Sequence, residues 1–373
     1  MRIIMFYHSL LSDWNHGNAH FLRGVATELM VRGHDVVVYE PGGGWSLQNL
    51  LSEHGREPLD RFAQTYPMLK IATYNPRRVN LTRILSGTDL VLVHEWNEPN
   101  LIRRIGEHRS KGGFKLLFHD THHRLASDPR SILGLDLRNY DGVLAFGSVL
   151  RDMYARNGWV GKAWTWHEAA DTRIFRPLPR KKREGEVVWI GNWGDEERTA
   201  ELKEYLIEPV KDLGLGATVY GVRYPKTARA CLKRAGIDYR GWLANFDVPD
   251  VFSRYAFTVH VPRRAYANQL LGIPTIRPFE AMASGIPLIC APWQDTEGLF
   301  QAGRDYLLAR TGQEMRRCMR ALLDDRHLGR ELARNARRTI LTRHTCAHRV
   351  EELLEIYRKL RGASQKRRAA RSA

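Results

Sequence analysis

Short apolar runs alternate with helix-like segments along the chain, and this alternation limits the folds that it can adopt. In the first half the apolar runs predict strands at residues 2–7, 36–39, 90–93, 115–118 and 143–146. Apolar residues at helical spacing predict helices between them, at residues 17–32, 100–111 and 148–157. Runs that are apolar throughout are typical of strands buried on both faces of a parallel sheet. The first half therefore predicts a doubly wound α/β domain.

The second half repeats the alternation after a break at residues 176–185, which contain two prolines, a glycine and a basic run. Its predicted strands are residues 187–190, 217–220, 257–261 and 287–290. Its predicted helices are residues 197–211, 225–235, 279–284, 313–323, 327–338 and 346–360. We therefore expect two Rossmann-like doubly wound parallel-sheet domains facing a central cleft, at residues 1–178 and 186–340. A terminal helix is expected at residues 341–362, followed by a basic, disordered tail at 363–373.

Composition narrows the class of partner. The 373 residues are 43% hydrophobic and carry a formal net charge of +17, which suits a globular protein with an anionic partner. The basic residues are dispersed and no nucleic-acid motif is present, so nucleic acid is not expected. Four cysteines without metal-ligand spacing predict reduced thiols in a cytoplasmic protein. The basic tail suggests peripheral contact with an anionic membrane, through Lys366, Arg367, Arg368 and Arg371.

Polar residues follow the predicted strands of the first half, where parallel α/β sheets bind their ligands. Three carboxylates there, which the sequence does not rank, are candidates for a catalytic base: Asp13, Glu95 and Asp120. The loop containing His119, His122 and His123 resembles a metal site only in residue type. We expect these histidines either to form hydrogen bonds in a sugar or acceptor pocket or to be no more than polar loop residues, and no metal is expected.

Two segments of the second half suit a nucleotide. Gly191 and Asn192 end a strand and lead through Arg198 into a helix, so backbone N–H groups and a guanidinium can meet a phosphate there. In the second segment Glu280 lies early in a helix and can accept both hydroxyls of a ribose. Neutralisation of a diphosphate is expected from Arg263, Arg264 and Arg277.

Residues 277–288, RPFEAMASGIPL, resemble the nucleotide-binding segment of the GT-B glycosyltransferases. The wider pattern is similar to the bacterial spore-maturation-protein-like branch, which is related to the retaining group with a Glu-x-seven-Glu motif. Further matching pieces are Gly191-Asn192-Trp193, Tyr220-Gly221, residues 239–242, residues 167–171 with Phe175, and the final amphipathic helix.

The resemblance implies a metal-independent enzyme that transfers a sugar from a nucleotide-diphosphate donor, with retention of configuration. Glu280 then matches the ribose-binding Glu, and the position of the first Glu is Gly272, so that Thr275 or nearby backbone amides replace it. Arg198 is implied as the diphosphate clamp, and Tyr220 lies in a donor-binding piece. His119, and next His122, are implied to contact the donor sugar. The terminal helix is implied to cross back onto the N-terminal domain.

Other readings stay open at this point. His16 lies where inverting GT-B enzymes have a base, so inversion is an alternative. A nucleotide-sugar epimerase, a non-catalytic nucleotide-binding protein and a nucleic-acid-binding protein are alternatives to a transferase. The acceptor, whether a glycan, a lipid-linked molecule or a protein, is not specified by any motif.

Overall fold

The computed structural model describes residues 1–158, 162–179, 181–194 and 196–372. The chain forms two compact units. Unit 1 comprises Met1–Ser12, Phe21–Glu168 and Cys346–Ala373, and unit 2 comprises Asp13–His20 and Ala169–Thr345. The first long stretch of unit 1 therefore ends at Glu168, whereas residue 178 was expected as the end of the first domain. The final helix lies in unit 1.

Each unit contains one parallel sheet. The strands of unit 1 are β1 Arg2–Phe6, β2 Asp35–Pro41, β3 Ile71–Tyr74, β4 Leu90–His94, β5 Lys115–Asp120, β6 Gly142–Ala145 and β7 Ala163–Thr165. They pair in the order β3-β2-β1-β4-β5-β6-β7. The strands of unit 2 are β8 Gly185–Ile190, β9 Ala217–Tyr220, β10 Ile237–Tyr239, β11 Tyr255–His260, β12 Leu288–Cys290 and β13 Leu307–Leu308. They pair in the order β10-β9-β8-β11-β12-β13.

Helices connect the strands. The first group is α1 Ala19–Val31, α2 Trp45–His54, α3 Glu57–Thr65, α4 Leu81–Leu85, α5 Pro99–Lys111, α6 Arg124–Ser127, α7 Pro129–Leu133 and α8 Ser148–Arg156. The second group is α9 Thr199–Leu202, α10 Glu208–Leu213, α11 Lys226–Arg234, α12 Val248–Phe252, α13 Arg264–Asn268, α14 Ile276–Ser284, α15 Gly312–Asp324, α16 Arg326–Arg343 and α17 Cys346–Ser372. A π-helical segment, Lys203–Ile207, joins α9 to α10, and a 3₁₀ turn, Asn245–Asp247, precedes α12.

These pairings confirm the prediction of two doubly wound parallel sheets. In unit 1 the central strands are covered on both faces, so β1 from Ile3 to Phe6 and β4 from Leu90 to Val93 have no exposed surface. Adjacent strands register as Ile4 with Val37 and Val91. The chain reverses its direction of winding between β1 and β4, and again between β8 and β11 in unit 2. Ligand sites in this class of fold lie beyond the carboxyl ends of the strands at such a switch point.

The strands that the sequence analysis missed are β3, β7, β10 and β13, which lie at or next to sheet edges. They are two to four residues long and carry exposed or half-buried positions, so they lack a continuous apolar run. The expected terminal helix extends as α17 to Ser372, and the disorder expected for residues 363–373 stays a prediction. The side chains of residues 364–373, including the basic ones proposed for membrane contact, lie outside the described part of the structure. None of the described helices is both long and apolar enough to cross a membrane.

Candidate functional site

The switch point of unit 2 contains a buried guanidinium. Arg198 donates one hydrogen bond to the carbonyl oxygen of Asn192, which follows β8, and one of 3.1 Å to that of Val261, which follows β11. The side chain therefore bridges the carboxyl ends of the two strands. Its guanidinium also lies 5.1 Å from the centroid of the Trp189 ring.

Arg198 has no carboxylate within ion-pair distance among the described residues. Burial lowers its pKa to about 9, and the nearby charges of Arg263 and Arg277 lower it further in the same direction. A guanidinium bonded to neutral carbonyl groups keeps its formal charge, so the site has an excess of positive charge in a region of low dielectric constant. Such an environment favours an anion with several oxygen acceptors, such as a diphosphate.

Glycines allow the chain to wrap closely around Arg198. A Cβ at Gly194, whose φ is +93°, would lie 2.8 Å from the Arg198 Cγ. A Cβ at Gly221 would lie 2.0 Å from the carbonyl oxygen of Gly191. The loop after β8 is therefore built around the arginine stem.

Other cations of unit 2 surround this centre unequally. Arg277 forms an ion pair with Glu280 and is mostly buried. Arg263 pairs with Glu197 at the partly exposed start of α13. Arg264 is exposed and pairs with Glu201 at 2.7 Å. Only the first two lower the pKa of Arg198, so the structure brings Arg263 and Arg277 to the site more closely than Arg264.

Glu280 has no exposed surface. Its Oε2 pairs with Arg277, and its Oε1 lies 2.8 Å from Nδ1 of His20, a residue of unit 2. Arg277 therefore occupies Oε2, whereas Oε1, although close to His20, has no hydrogen-bond partner among the described residues. The structure places the Glu280 carboxylate beside Arg277 and His20, and its role in binding a ribose stays a prediction.

The start of α14 is strained. Thr275 precedes the helix with φ +58° and ψ −176°, a conformation that a β-branched residue rarely adopts. Its hydroxyl lies 3.4 Å from Nε2 of His260, the last residue of β11. Burial lowers the pKa of His260 to about 3, and Arg198 and Arg277 act in the same direction, so the imidazole is neutral at physiological pH. Backbone strain of this kind concentrates at functional sites.

The position expected for the missing Glu, Gly272, admits no side chain. Its φ is +90°, and a Cβ there would lie 2.5 Å from the Thr296 hydroxyl oxygen. The same Cβ position is 3.2 Å from Oε1 of Glu297. A carboxylate from another loop thus lies beside the position where the family motif has one.

Two predicted donor-binding residues have other roles in the fold. The Asn192 amide donates to Asn15 Oδ1 and accepts the backbone N–H of Val222 at 3.0 Å. The Tyr220 hydroxyl accepts a hydrogen bond from Arg240, which also pairs with Glu184 just before β8.

The switch point of unit 1 holds a buried acidic pair. Burial raises the pKa of Glu95 well above its usual range, and the neighbouring charge of Asp120 raises it further, although Arg124 pairs with Glu95. Burial raises the pKa of Asp120 to about 6, against hydrogen bonds that Asp120 accepts from the Tyr154 hydroxyl at 2.7 Å and the His122 N–H at 3.0 Å. One proton can therefore be held by this pair near neutral pH.

The two histidines of this region differ in access. His119 has no exposed surface, its Nδ1 lies 3.2 Å from the Tyr7 hydroxyl, and its ring packs against Trp166. Burial lowers the pKa of His119 to about 3, so the ring is neutral. His122 is half-buried and packs edge-on against Trp96 at a centroid distance of 5.0 Å. Of the two, His122 has the surface to touch a ligand.

The third candidate base, Asp13, lies in unit 2. Its Oδ1 accepts the indole N–H of Trp242 at 3.2 Å, and its Oδ2 accepts the backbone N–H of Asn245 at 3.1 Å. The carboxylate thus holds the loop after β10 in place. His16 of the same unit is 7% exposed. The described residues contain no group of three or more His, Cys, Asp or Glu side chains arranged to hold a metal ion.

Sequence reasoning missed His260, Glu297 and Tyr154 as members of these sites. His260 had a usable signal, because it ends the strand on one side of the switch point. Tyr154 and Glu297 had none, since they come from a helix and a loop that only the folded chain brings to the acids and to Gly272.

Known proteins resemble the chain in sequence over one segment and in structure over nearly its full length. Residues 198–355 match a protein family described as "Glycosyl transferase-like". No curated protein matches the sequence. Sucrose-phosphate synthase from Thermosynechococcus elongatus has 14% identity and a TM-score of 0.65 over 97% of this chain and 100% of that one.

The names of two further solved structures include the nucleotide UDP. Anabaena HepE in complex with UDP and glucose has 15% identity and a TM-score of 0.66, covering 96% of this chain and 100% of that one. The T4 phage BGT in complex with UDP and Mn²⁺ has 13% identity and a TM-score of 0.62, covering 96% and 99%. At these identities the likeness concerns the backbone. The chain therefore has the two-sheet α/β fold of solved glycosyltransferases.

Proposed function

We propose that the protein is a glycosyltransferase that uses a nucleotide-diphosphate sugar, with the diphosphate bound at the switch point of unit 2. The observation that carries the proposal is Arg198, a buried cation without a carboxylate partner among the described residues, held between the carboxyl ends of β8 and β11. The matched family segment begins at this residue. A bound diphosphate would supply the negative charge that the site lacks.

UDP-glucose is the first donor to test, because HepE and the phage enzyme are named in complexes with UDP and UDP-glucose. For the donor sugar we propose Glu297 as the acidic contact, with Thr275 and the first amides of α14. Glu297 lies beside position 272, where the resembling family has its sugar-binding carboxylate. The expected result for Glu297→Gln is retained UDP affinity with loss of sugar transfer.

We propose Asp120 as the group that accepts the acceptor's proton. A base is most effective when its pKa lies near the working pH, and the pKa of Asp120, about 6, meets this condition better than that of an exposed aspartate. Turnover should then fall below about pH 6 in the wild type. The Asp120→Asn variant should lose turnover at all pH values.

Metal independence and retention of configuration are further parts of the proposal. Arginines, rather than a divalent ion, would neutralise the departing diphosphate. Activity unchanged by EDTA would support this, whereas dependence on Mn²⁺, an ion named with the phage relative, would contradict it. The anomeric configuration of the first product, followed by NMR, distinguishes retention from inversion.

The decisive experiment measures UDP binding by calorimetry for wild type, Arg198→Gln and Arg316→Gln. Arg316 pairs with Asp212 on the partly exposed side of α15 and serves as the matched control. Loss of one charge-assisted contact of about 2 kcal/mol predicts about thirtyfold weaker binding for Arg198→Gln, with no change for the control. Equal affinity in all three proteins would reject the diphosphate site. Conversion of the donor without any acceptor would indicate an epimerase instead.

A further inference from the structure

One face of α16 in unit 2 carries an arginine cluster that the proposed transfer reaction does not use. The buried face of this helix, which includes Leu332, Ala336 and Ile340, packs in the interior of unit 2. The opposite side bears the cluster, which we call the α16 face: Arg326, Arg330, Arg334, Arg337 and Arg338, with Leu341.

The spacing of these residues places them together. At about 100° per residue, the six side chains fall within an arc of about 120° on the helix. Four of the arginines are exposed, Arg337 is half-buried, and Leu341 near the middle of the arc is 42% exposed. The one acidic residue at the edge of the arc, Glu331, lies 4.0 Å from His327.

The described residues offset the charge of the α16 face only in part. No carboxylate of the described residues lies within ion-pair distance of its five arginines, and Arg338 donates only to the Asn335 amide oxygen, at 3.3 Å. By contrast, Arg316 on the neighbouring helix α15 forms an ion pair with Asp212. The charge of Asp325, just before α16, interacts with that of Arg330. The other four arginines present a row of unpaired positive charge about 20 Å long.

A cleft adjoins the C-terminal end of this face. Its volume is about 550 Å³, and its lining includes Gln301, Arg304, Arg338, Thr339, Thr342 and Arg343. The buried Asp305 also lines it, but the Asp305 Oδ2 accepts hydrogen bonds from the Gln301 N–H and the Thr339 hydroxyl. Three guanidiniums against one carboxylate leave a net positive charge, which suits a phosphate group.

We propose that the α16 face is a docking surface for an anionic phospholipid bilayer, with a lipid phosphate entering the adjoining cleft. A row of cations along one exposed helix matches a planar anionic surface, and each basic residue near such a surface adds to the binding. The exposed Leu341 among the cations favours a bilayer over a nucleic acid, because an apolar side chain can enter the interfacial region. This surface lies outside the basic tail to which the sequence analysis assigned membrane contact.

The test compares two full-length triple variants in vesicle co-sedimentation. The first, Arg330→Gln with Arg334→Gln and Arg337→Gln, removes three of the five positive charges of the α16 face. The second, Lys226→Gln with Arg229→Gln and Lys233→Gln, removes three exposed charges from α11, so the two variants have the same net charge. Vesicles contain either phosphatidylcholine alone or phosphatidylcholine with phosphatidylglycerol.

The wild type should bind the anionic vesicles, more weakly as the salt concentration rises, and should not bind the neutral ones. The α16 variant should bind about a hundredfold more weakly, and the α11 variant within about threefold of wild type. Equal losses in the two variants would overturn the proposal, as would absence of wild-type binding. Binding lost only when the basic side chains of residues 364–373 are replaced by glutamine would assign the contact to the tail. Duplex DNA bound more tightly than vesicles through the same arginines would assign the surface to nucleic acid.

Discussion

The buried acid Asp120 predicts that removal of one charge will stabilise unit 1 in a pH-dependent way. Its carboxylate has 1% exposed surface and lies beside Glu95. The substitution Asp120→Asn keeps the shape of the side chain and leaves an oxygen for the His122 N–H, while the Tyr154 hydroxyl can reverse its role and accept. The variant therefore isolates the effect of the buried charge.

The sign and size of the effect on stability follow from the difference between the pKa of Asp120 in the folded and in the unfolded chain. The pKa of Asp120 is about 6 in the folded chain, against an ordinary value of 3.8. Between these values the folded state binds more protons than the unfolded state, so wild-type stability falls as the pH rises through this window. About two pKa units correspond to a loss of about 3 kcal/mol of stability above pH 7. About half of this loss has already occurred at pH 5. Below about pH 3 the charge makes no difference, because the carboxyl is then protonated in both states.

The assay is urea-induced unfolding at pH 5 and pH 8 for wild type, Asp120→Asn and Asp152→Asn, where Asp152 is an exposed carboxylate on α8. The free energy of unfolding of wild type should fall between the two pH values by about 1 to 2 kcal/mol more than that of Asp120→Asn. The Asp152→Asn protein should follow wild type. An Asp120→Asn protein with the wild-type pH dependence, or one less stable than wild type at pH 8, would refute the argument that burial dominates.

Three further outcomes test the packing of unit 2. Gly221→Ala should lower the free energy of unfolding by about 3 kcal/mol, because its methyl group would lie 2.0 Å from the Gly191 carbonyl oxygen; a melting temperature equal to that of wild type would contradict this. Glu280→Gln should cost about 3 kcal/mol, since it leaves a buried guanidinium without its carboxylate; unchanged urea unfolding would count against that ion pair. The Cys290 thiol, which is fully buried and has a raised pKa, should react with a thiol reagent only on unfolding, whereas the half-buried Cys231 should react in the native protein; simultaneous labelling of both, followed by mass spectrometry, would be inconsistent with the structure.

The alternation of apolar runs and helical segments was enough to predict two doubly wound sheets, because strands buried on both faces must be apolar along their length. The central strands, such as β1, β4, β5 and β8, were predicted within two residues for this reason. Edge strands such as β3 were not predicted, because only one of their sides is covered and their composition therefore resembles that of loops.

The sequence also placed Arg198 and the candidate acids in loops at the carboxyl ends of strands, since strand order fixes where such loops lie. It could not show which polar groups the fold would neutralise. Tertiary structure paired Glu280 with Arg277 and His20, turned Tyr220 toward Arg240, and left Arg198 with carbonyl partners alone. These outcomes depend on contacts between residues far apart in the chain, which local pattern does not encode, and burial then sets the charge and pKa of each group.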